Sequence, residues 1–232
     1  MVNLLLTAGC SYSTCDDSVE EAINNPTIWP QFLFGMLNAK YMANLAMPGA
    51  GSQSTVYNLI NFCETQYVDP EKTVVVFNIS QLHRWDSMCN WSHPNACDHF
   101  SWDNLLQHSW LVEKMNQTHS IFTEINRHME SKQKIKSNCL ALIGLMSYLE
   151  QKKLRYYFIM LDDNRVDNNT PEFFRNFIEK KLTRLVTVQG FNSMLEFSRS
   201  TGMLSADLRH PSTDGHRVIA EHIFQKILLE AR

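Results

Sequence analysis

The chain has 232 residues, of which 44% are hydrophobic and 19% charged, and it carries a formal net charge of −3. That length and apolar share suit one folded domain with a substantial core and exclude a disordered or low-complexity chain. The small negative charge excludes a general electrostatic attraction for nucleic acid, and no apolar run is long enough to span a membrane.

The first segment, Met1-Val-Asn-Leu-Leu-Leu-Thr-Ala-Gly-Cys10, has a small-residue pair before Cys10 but lacks the basic start and long apolar run of an export signal. It predicts a buried strand over residues 2–7. Six cysteines at irregular spacing, with no export signal, predict free thiols and a cytoplasmic setting. The strand ends at Ala8-Gly9-Cys10-Ser11-Tyr12-Ser13. Small residues there permit a sharp turn that lifts the Ser11 hydroxyl to the carboxyl edge of the sheet, where open α/β sheets bind ligands. The plain alternative is an ordinary strand-to-loop serine.

Residues 27–37 have helical spacing, with Trp29, Phe32, Leu33, Met36 and Leu37 on a core face. Residues 41–46 predict a second strand. Met47-Pro-Gly49-Ala-Gly51-Ser-Gln-Ser54 then leads into a helix ending near Tyr67. Glycines between a strand and a helix let the backbone approach a ligand with its N–H groups near the positive helix end, so this loop can supply an oxyanion donor. Its spacing matches no dinucleotide or P-loop fingerprint. Residues 73–78 are a third strand, apolar in the manner of one covered on both faces. Asn78, Ser80 and Gln81 place polar side chains around its end, and Arg84 follows as a candidate for an anionic substrate group or for a simple surface ion pair.

Residues 86–136 read as an insertion within a single domain spanning 1–232. It is rich in aromatic and imidazole side chains: Trp91, His93, His99, Trp102, His108, Trp110, His119 and His128. Aromatic faces pack well on sugar rings or acyl groups, which makes Trp91 a candidate substrate contact. A helical lid with its own core is the bland alternative. Cys89, His93, Cys97 and His99 follow the spacing of no common structural zinc module, so no metal is expected.

Beyond the insertion, residues 121–149 have helical spacing interrupted at Lys132-Gln-Lys-Ile-Lys136, and 138–152 form a strongly amphipathic stretch with Cys139 and Met146 as packing residues. Residues 155–161 predict a fourth strand ending in Asp162-Asp163-Asn164, read as a solvated turn rather than a metal or general-acid site. Helices follow near 172–185, with Phe173, Phe174 and Phe177 inward, and at 191–200, with a short strand at 185–188 between them. The last helix, 214–229, buries Val218, Ile219, Ile223, Ile227 and Leu228. Alternating strands and helices predict an α/β fold: a three-layer α/β/α sandwich on a mostly parallel, flavodoxin-like sheet.

Before the last helix stands Asp207-Leu-Arg-His210-Pro-Ser-Thr-Asp-Gly-His216. An aspartate three residues before a histidine in a turn can point both side chains the same way. That suits an imidazole base whose tautomer is held by a carboxylate, and such a pair asks for a nucleophile elsewhere. Otherwise Asp207 caps a turn, His210 lies on the surface and Pro211 opens the helix.

Together these blocks resemble the SGNH (GDSL-like) hydrolase family. In that family a serine ends the first strand, a glycine follows the second, an asparagine follows the third, and Asp-x-x-His lies near the C-terminus. Ser11 in Gly9-Cys-Ser-Tyr matches the nucleophile, Gly49 matches the glycine block five residues after Asn44, and Asp207 with His210 matches the last block, Pro211 and Gly215 included. Some phage-like and bacterial members share the Gly-Cys-Ser-aromatic start and an arginine after the third strand. Departures from the pattern are Cys10 in place of an aspartate and the lack of Gly-x-Asn-Asp in the third block.

The resemblance implies a cofactor-free serine esterase acting on O-acyl, and by extension O-acetyl, esters of a carbohydrate or small molecule, with Ser11, Asp207 and His210 catalytic. Oxyanion donors would be Ser11, Gly49 and Asn78. The rival class is a catalytically impaired binding or particle-associated protein on the same fold, which the altered third block favours. A thiol enzyme using Cys10 is disfavoured because strand neighbours alternate in direction.

Overall fold

Apolar residues alternate between the faces of each main strand, and this alternation builds the two cores. In the computed structural model, which describes residues 2–13, 26–47, 51–82, 86–88, 99–101, 131–163, 170–208 and 210–230, strands β1 (Leu4–Ala8), β2 (Tyr41–Asn44), β3 (Thr73–Ile79) and β6 (Arg155–Met160) form a parallel sheet in the order β2-β1-β3-β6. The central register runs from Leu4 opposite Thr73 to Ala8 opposite Phe77. Strands β4 (Asp86–Met88) and β5 (His99–Ser101) pair antiparallel apart from it.

On one face Leu5, Val74, Val76, Tyr157 and Ile159 meet Trp29 and Leu33 of α1 (Trp29–Leu37), Phe197 of α5 (Met194–Thr201) and Ile219, Ile223 and Ile227 of α6 (Thr213–Glu230). On the other, Leu6, Val75, Phe77, Tyr156 and Phe158 meet Leu59 of α2 (Ser52–Thr65), Leu142, Leu145 and Leu149 of α3 (Ser131–Gln151), and Phe174 and Ile178 of α4 (Glu172–Glu179). Helices on both faces of a parallel sheet give three layers, as the alternating elements predicted. Cys139 and Met146 lie in the second core as expected. Among the described residues Cys10, Cys63 and Cys139 are free thiols, and no helix is long and apolar enough to cross a membrane.

Several local expectations change. The stretch Lys132–Lys136 is not a break: it lies within α3, with Ile135 buried and Lys132 and Lys136 exposed, because one inward side chain per turn is enough to seat a charged segment on the core. The helix expected over 172–185 stops at Glu179 and is followed by a 3₁₀ turn, Leu182–Arg184. Phe173 is 43% exposed while Phe174 is buried, since neighbouring helical residues point in different directions. Leu228 likewise is 41% exposed at the end of α6. The strand expected at 185–188 is reduced to two isolated bridges, one parallel from Leu185 to Phe158 beside the sheet and one antiparallel from Val188 to Phe191.

Candidate active site

The end of β1 turns at Gly9, whose φ of +153° is open to glycine, and passes into a 3₁₀ turn, Ser11–Ser13, closed by Ser13 N–H donating to the Cys10 carbonyl at 2.8 Å. Asn44, at the end of β2, holds this turn from the side. Its Nδ2 donates to the Ser13 carbonyl at 2.7 Å, and its Oδ1 accepts from Thr7 Oγ1 at 3.0 Å and from the Ala46 amide at 3.2 Å. Trp29 Nε1 donates to Ser13 Oγ at 3.1 Å, tying the turn to α1.

The opposing piece is the loop before α6. Leu204 and Pro211 form an antiparallel bridge, with Ser212 N–H on the Met203 carbonyl at 2.9 Å and Ser205 N–H on the His210 carbonyl at 2.8 Å. Gly215 makes this seating possible, because a Cβ there would lie 2.9 Å from the Met203 carbonyl oxygen and 3.2 Å from the Pro211 ring. Pro211 precedes α6, which begins at Thr213. Asp207 and His210 turn toward each other: His210 Nδ1 meets Asp207 Oδ2 at 2.5 Å, and the His210 amide donates to Asp207 Oδ1 at 3.0 Å.

The two pieces meet where Ser11 Oγ lies 2.9 Å from His210 Nε2, across 199 residues of sequence. With Nδ1–H given to the carboxylate, Nε2 is the acceptor, so the Ser11 hydroxyl donates to it. The Tyr12 ring packs against the imidazole, centroid to centroid 4.6 Å, and sets its height above the turn. The arrangement can therefore deprotonate a serine hydroxyl as it attacks an electrophile.

Cys10 is fully buried within the core that α1 and α6 cover; it lies beyond the end of β1, so the turn at Gly9 rather than strand alternation sets its direction. Its thiol lies 3.4 Å from Asn78 Oδ1. Among the described residues Asn78 Nδ2 and Ser80 Oγ are buried without a hydrogen-bond partner at the end of β3, whereas Gln81 Nε2 donates to Asp162 Oδ2 at 2.6 Å. Gln81 is thus engaged with the next strand's end, and Asp162 belongs to that contact rather than to a separate acidic site. His216, one turn into α6, is buried; burial first, and then the nearby His210, push its imidazole down to about 4.

Gly49, Arg84 and Trp91 lie outside the described residues, as do Cys89, His93 and Cys97. Among the described residues no cluster of His, Cys, Asp or Glu side chains could hold a metal ion. Asn44, read in the sequence only as a spacing marker, and Ser205, not singled out there, are additions from the structure. The only local signal for Ser205 is its place two residues before Asp207.

Comparison with solved structures settles the architecture. The chain aligns over 97% of its length with 97% of a lipolytic protein of the G-D-S-L family from Veillonella parvula, at 14% identity and a TM-score of 0.50. It aligns over 99% with 98% of the psychrotrophic esterase EstA from a Pseudoalteromonas species, at 13% identity and a TM-score of 0.50. The chain has the SGNH hydrolase fold. A Bacillus subtilis protein matches over the whole chain, but over 57% of its own length, at 12% identity and a TM-score of 0.51. No family model and no curated protein match the sequence. At these identities the likeness carries the SGNH fold alone, so chemistry must be argued from the side chains.

Proposed function

We propose that this protein is a serine esterase of the SGNH type, with Ser11 as nucleophile, His210 as base and Asp207 as the group that holds the base. The observation that carries this reading is the continuous path from Ser11 Oγ through His210 to Asp207, with 2.9 Å and 2.5 Å separations. Ser11 attacks an ester carbonyl while His210 Nε2 takes its proton. The proton then goes to the leaving alcohol, and water, deprotonated by the same imidazole, releases the acyl group from Ser11. Asp207 keeps the Nδ1–H tautomer and stabilises the imidazolium.

The N–H groups of Ser11 and Gly49 and the Nδ2 of Asn78 are the proposed oxyanion donors. Asn78 suits the role because a buried N–H with no acceptor among the described residues costs about 1–3 kcal/mol in the resting protein and is relieved by an anionic oxygen. Arg84 and Trp91 are proposed substrate contacts, and the substrate class is an O-acyl ester, O-acetyl carbohydrate included. This chemistry calls for no metal or organic cofactor. The rival reading, a binding protein on the same fold with impaired catalysis, draws on the altered third block, where Gln81 is engaged with Asp162.

The test is labelling with a fluorophosphonate probe alongside hydrolysis of a short aryl acetate. The wild type should label and turn over, and Ser11→Ala and His210→Ala should lose at least about 10³-fold of the rate. A folded wild type that does neither would leave the binding-protein reading standing.

A further inference from the structure

We infer that Ser205 is a positioning residue for Asp207, a fourth member of the site beyond the serine, histidine and aspartate; this rests on the esterase reading above. Ser205 Oγ donates to Asp207 Oδ1 at 2.5 Å. The same oxygen accepts the His210 amide at 3.0 Å, leaving Oδ2 for His210 Nδ1. A carboxylate whose one oxygen receives an N–H and an O–H from different directions cannot turn about its Cβ–Cγ bond without losing both. Its other oxygen therefore stays against His210 Nδ1.

The need for such a constraint comes from exposure. The Asp207 side chain is 45% accessible and that of His210 34%, so water competes for the carboxylate and screens its pull on the imidazole. A buried aspartate is held by its surroundings, whereas this one has to be held by hydrogen bonds. The His210 amide is fixed by the chain itself, and Ser205 Oγ adds a side-chain donor to the hold.

Ser205 is itself placed by its backbone rather than by its hydroxyl. Its N–H donates to the His210 carbonyl at 2.8 Å, and its carbonyl accepts the Leu208 amide at 2.9 Å. Leu208 has a φ of +56°, a left-handed conformation that closes the loop tightly between Ser205 and His210. With both backbone groups used, removing the hydroxyl leaves the loop's own hydrogen bonds in place and takes away only the donor to Asp207.

The experiment compares wild type, Ser205→Ala and Ser205→Thr in aryl acetate hydrolysis and in the rate of fluorophosphonate labelling, with thermal melting as a control for folding. A hydrogen bond to a charged group sets the scale, so Ser205→Ala should lower kcat and the labelling rate about 10-fold, with KM within about 2-fold and melting unchanged. Ser205→Thr, which restores the hydroxyl, should return the rate to within about 3-fold of wild type. An alanine variant within about 2-fold of wild type in kcat, or a threonine variant no better than alanine, overturns the assignment.

A second readout does not depend on turnover. The low-field Nδ1 proton resonance of His210, identified by its loss in His210→Ala, should shift upfield or broaden in Ser205→Ala and recover in Ser205→Thr. If the wild type neither labels nor hydrolyses, the esterase reading fails, and this resonance alone decides Ser205. An unmoved resonance then overturns the inference as well.

Discussion

Gly9 and Asn78 lie so close across β1 and β3 that a Cβ on residue 9 would sit 2.7 Å from the Asn78 Cβ. The contact is made by the residue that turns the chain toward Ser11 and by the residue whose amide faces the Cys10 thiol, so the geometry of the Ser11 turn and of the third strand's end is set jointly. Gly9→Ala meets both the clash and a φ of +153° that side chains avoid. It should destabilise the protein by roughly 2–4 kcal/mol, read as a drop in the denaturant midpoint at unchanged slope.

Asn78 separates stability from activity. Its Nδ2 is buried without a partner among the described residues, so Asn78→Leu, which removes this desolvated donor at similar volume and gives up only the weak thiol contact to Oδ1, should leave thermal stability within about 1 kcal/mol of wild type. Loss of the proposed oxyanion donor should at the same time lower kcat by about 100-fold or more. A variant that keeps full turnover would assign the third donor elsewhere, with the buried Ser80 hydroxyl next in line.

Asn44 works at one remove from the chemistry. Through 2.7 Å and 3.0 Å hydrogen bonds it joins the Ser13 carbonyl to Thr7, bracketing the turn that presents Ser11. Asn44→Asp keeps the size and the acceptor but loses the donor to Ser13. Its expected outcome is an acylation rate about 10-fold lower in stopped-flow labelling, with a stability loss of about 1–2 kcal/mol.

His216 makes stability depend on pH in one direction. Above about pH 6.5 its imidazole is neutral in folded and unfolded chains alike, and its buried packing is fully present. As the pH falls through 6.5 the unfolded chain takes up a proton that the folded chain refuses until about pH 4, so stability is lost across that window. The shift corresponds to a loss on the order of 3 kcal/mol. His216→Phe should flatten the slope of folding free energy between those limits in urea titrations, leaving the acid loss from carboxylates that both proteins share.

Much of this architecture is local information. Alternating apolar residues in β1, β3 and β6 place side chains on both faces of a sheet, and the 3.6-residue spacing in α1 and α6 seats them on it, so the layered fold follows from periodicities visible in the chain. Asp-x-x-His is equally local: three residues of turn bring Asp207 and His210 together without help from the rest of the protein. The small residues around Ser11 likewise announce a sharp turn. Where periodicity and charge conflicted, at Lys132–Lys136, the burial of Ile135 against the core prevailed, and no local pattern measures that.

What the tertiary structure alone decided are relations between distant segments. Residues 199 apart meet at Ser11 and His210, and Asn44 reaches Ser13 from the neighbouring strand. Of the candidates Asn78, Ser80 and Gln81, the structure sets Gln81 apart, since its amide donates to Asp162, while Asn78 Nδ2 and Ser80 Oγ are both buried with no hydrogen-bond partner among the described residues. Sequence spacing sets the direction of a side chain relative to its own strand or helix. The partner it finds there depends on which other elements the packing of the cores brings alongside.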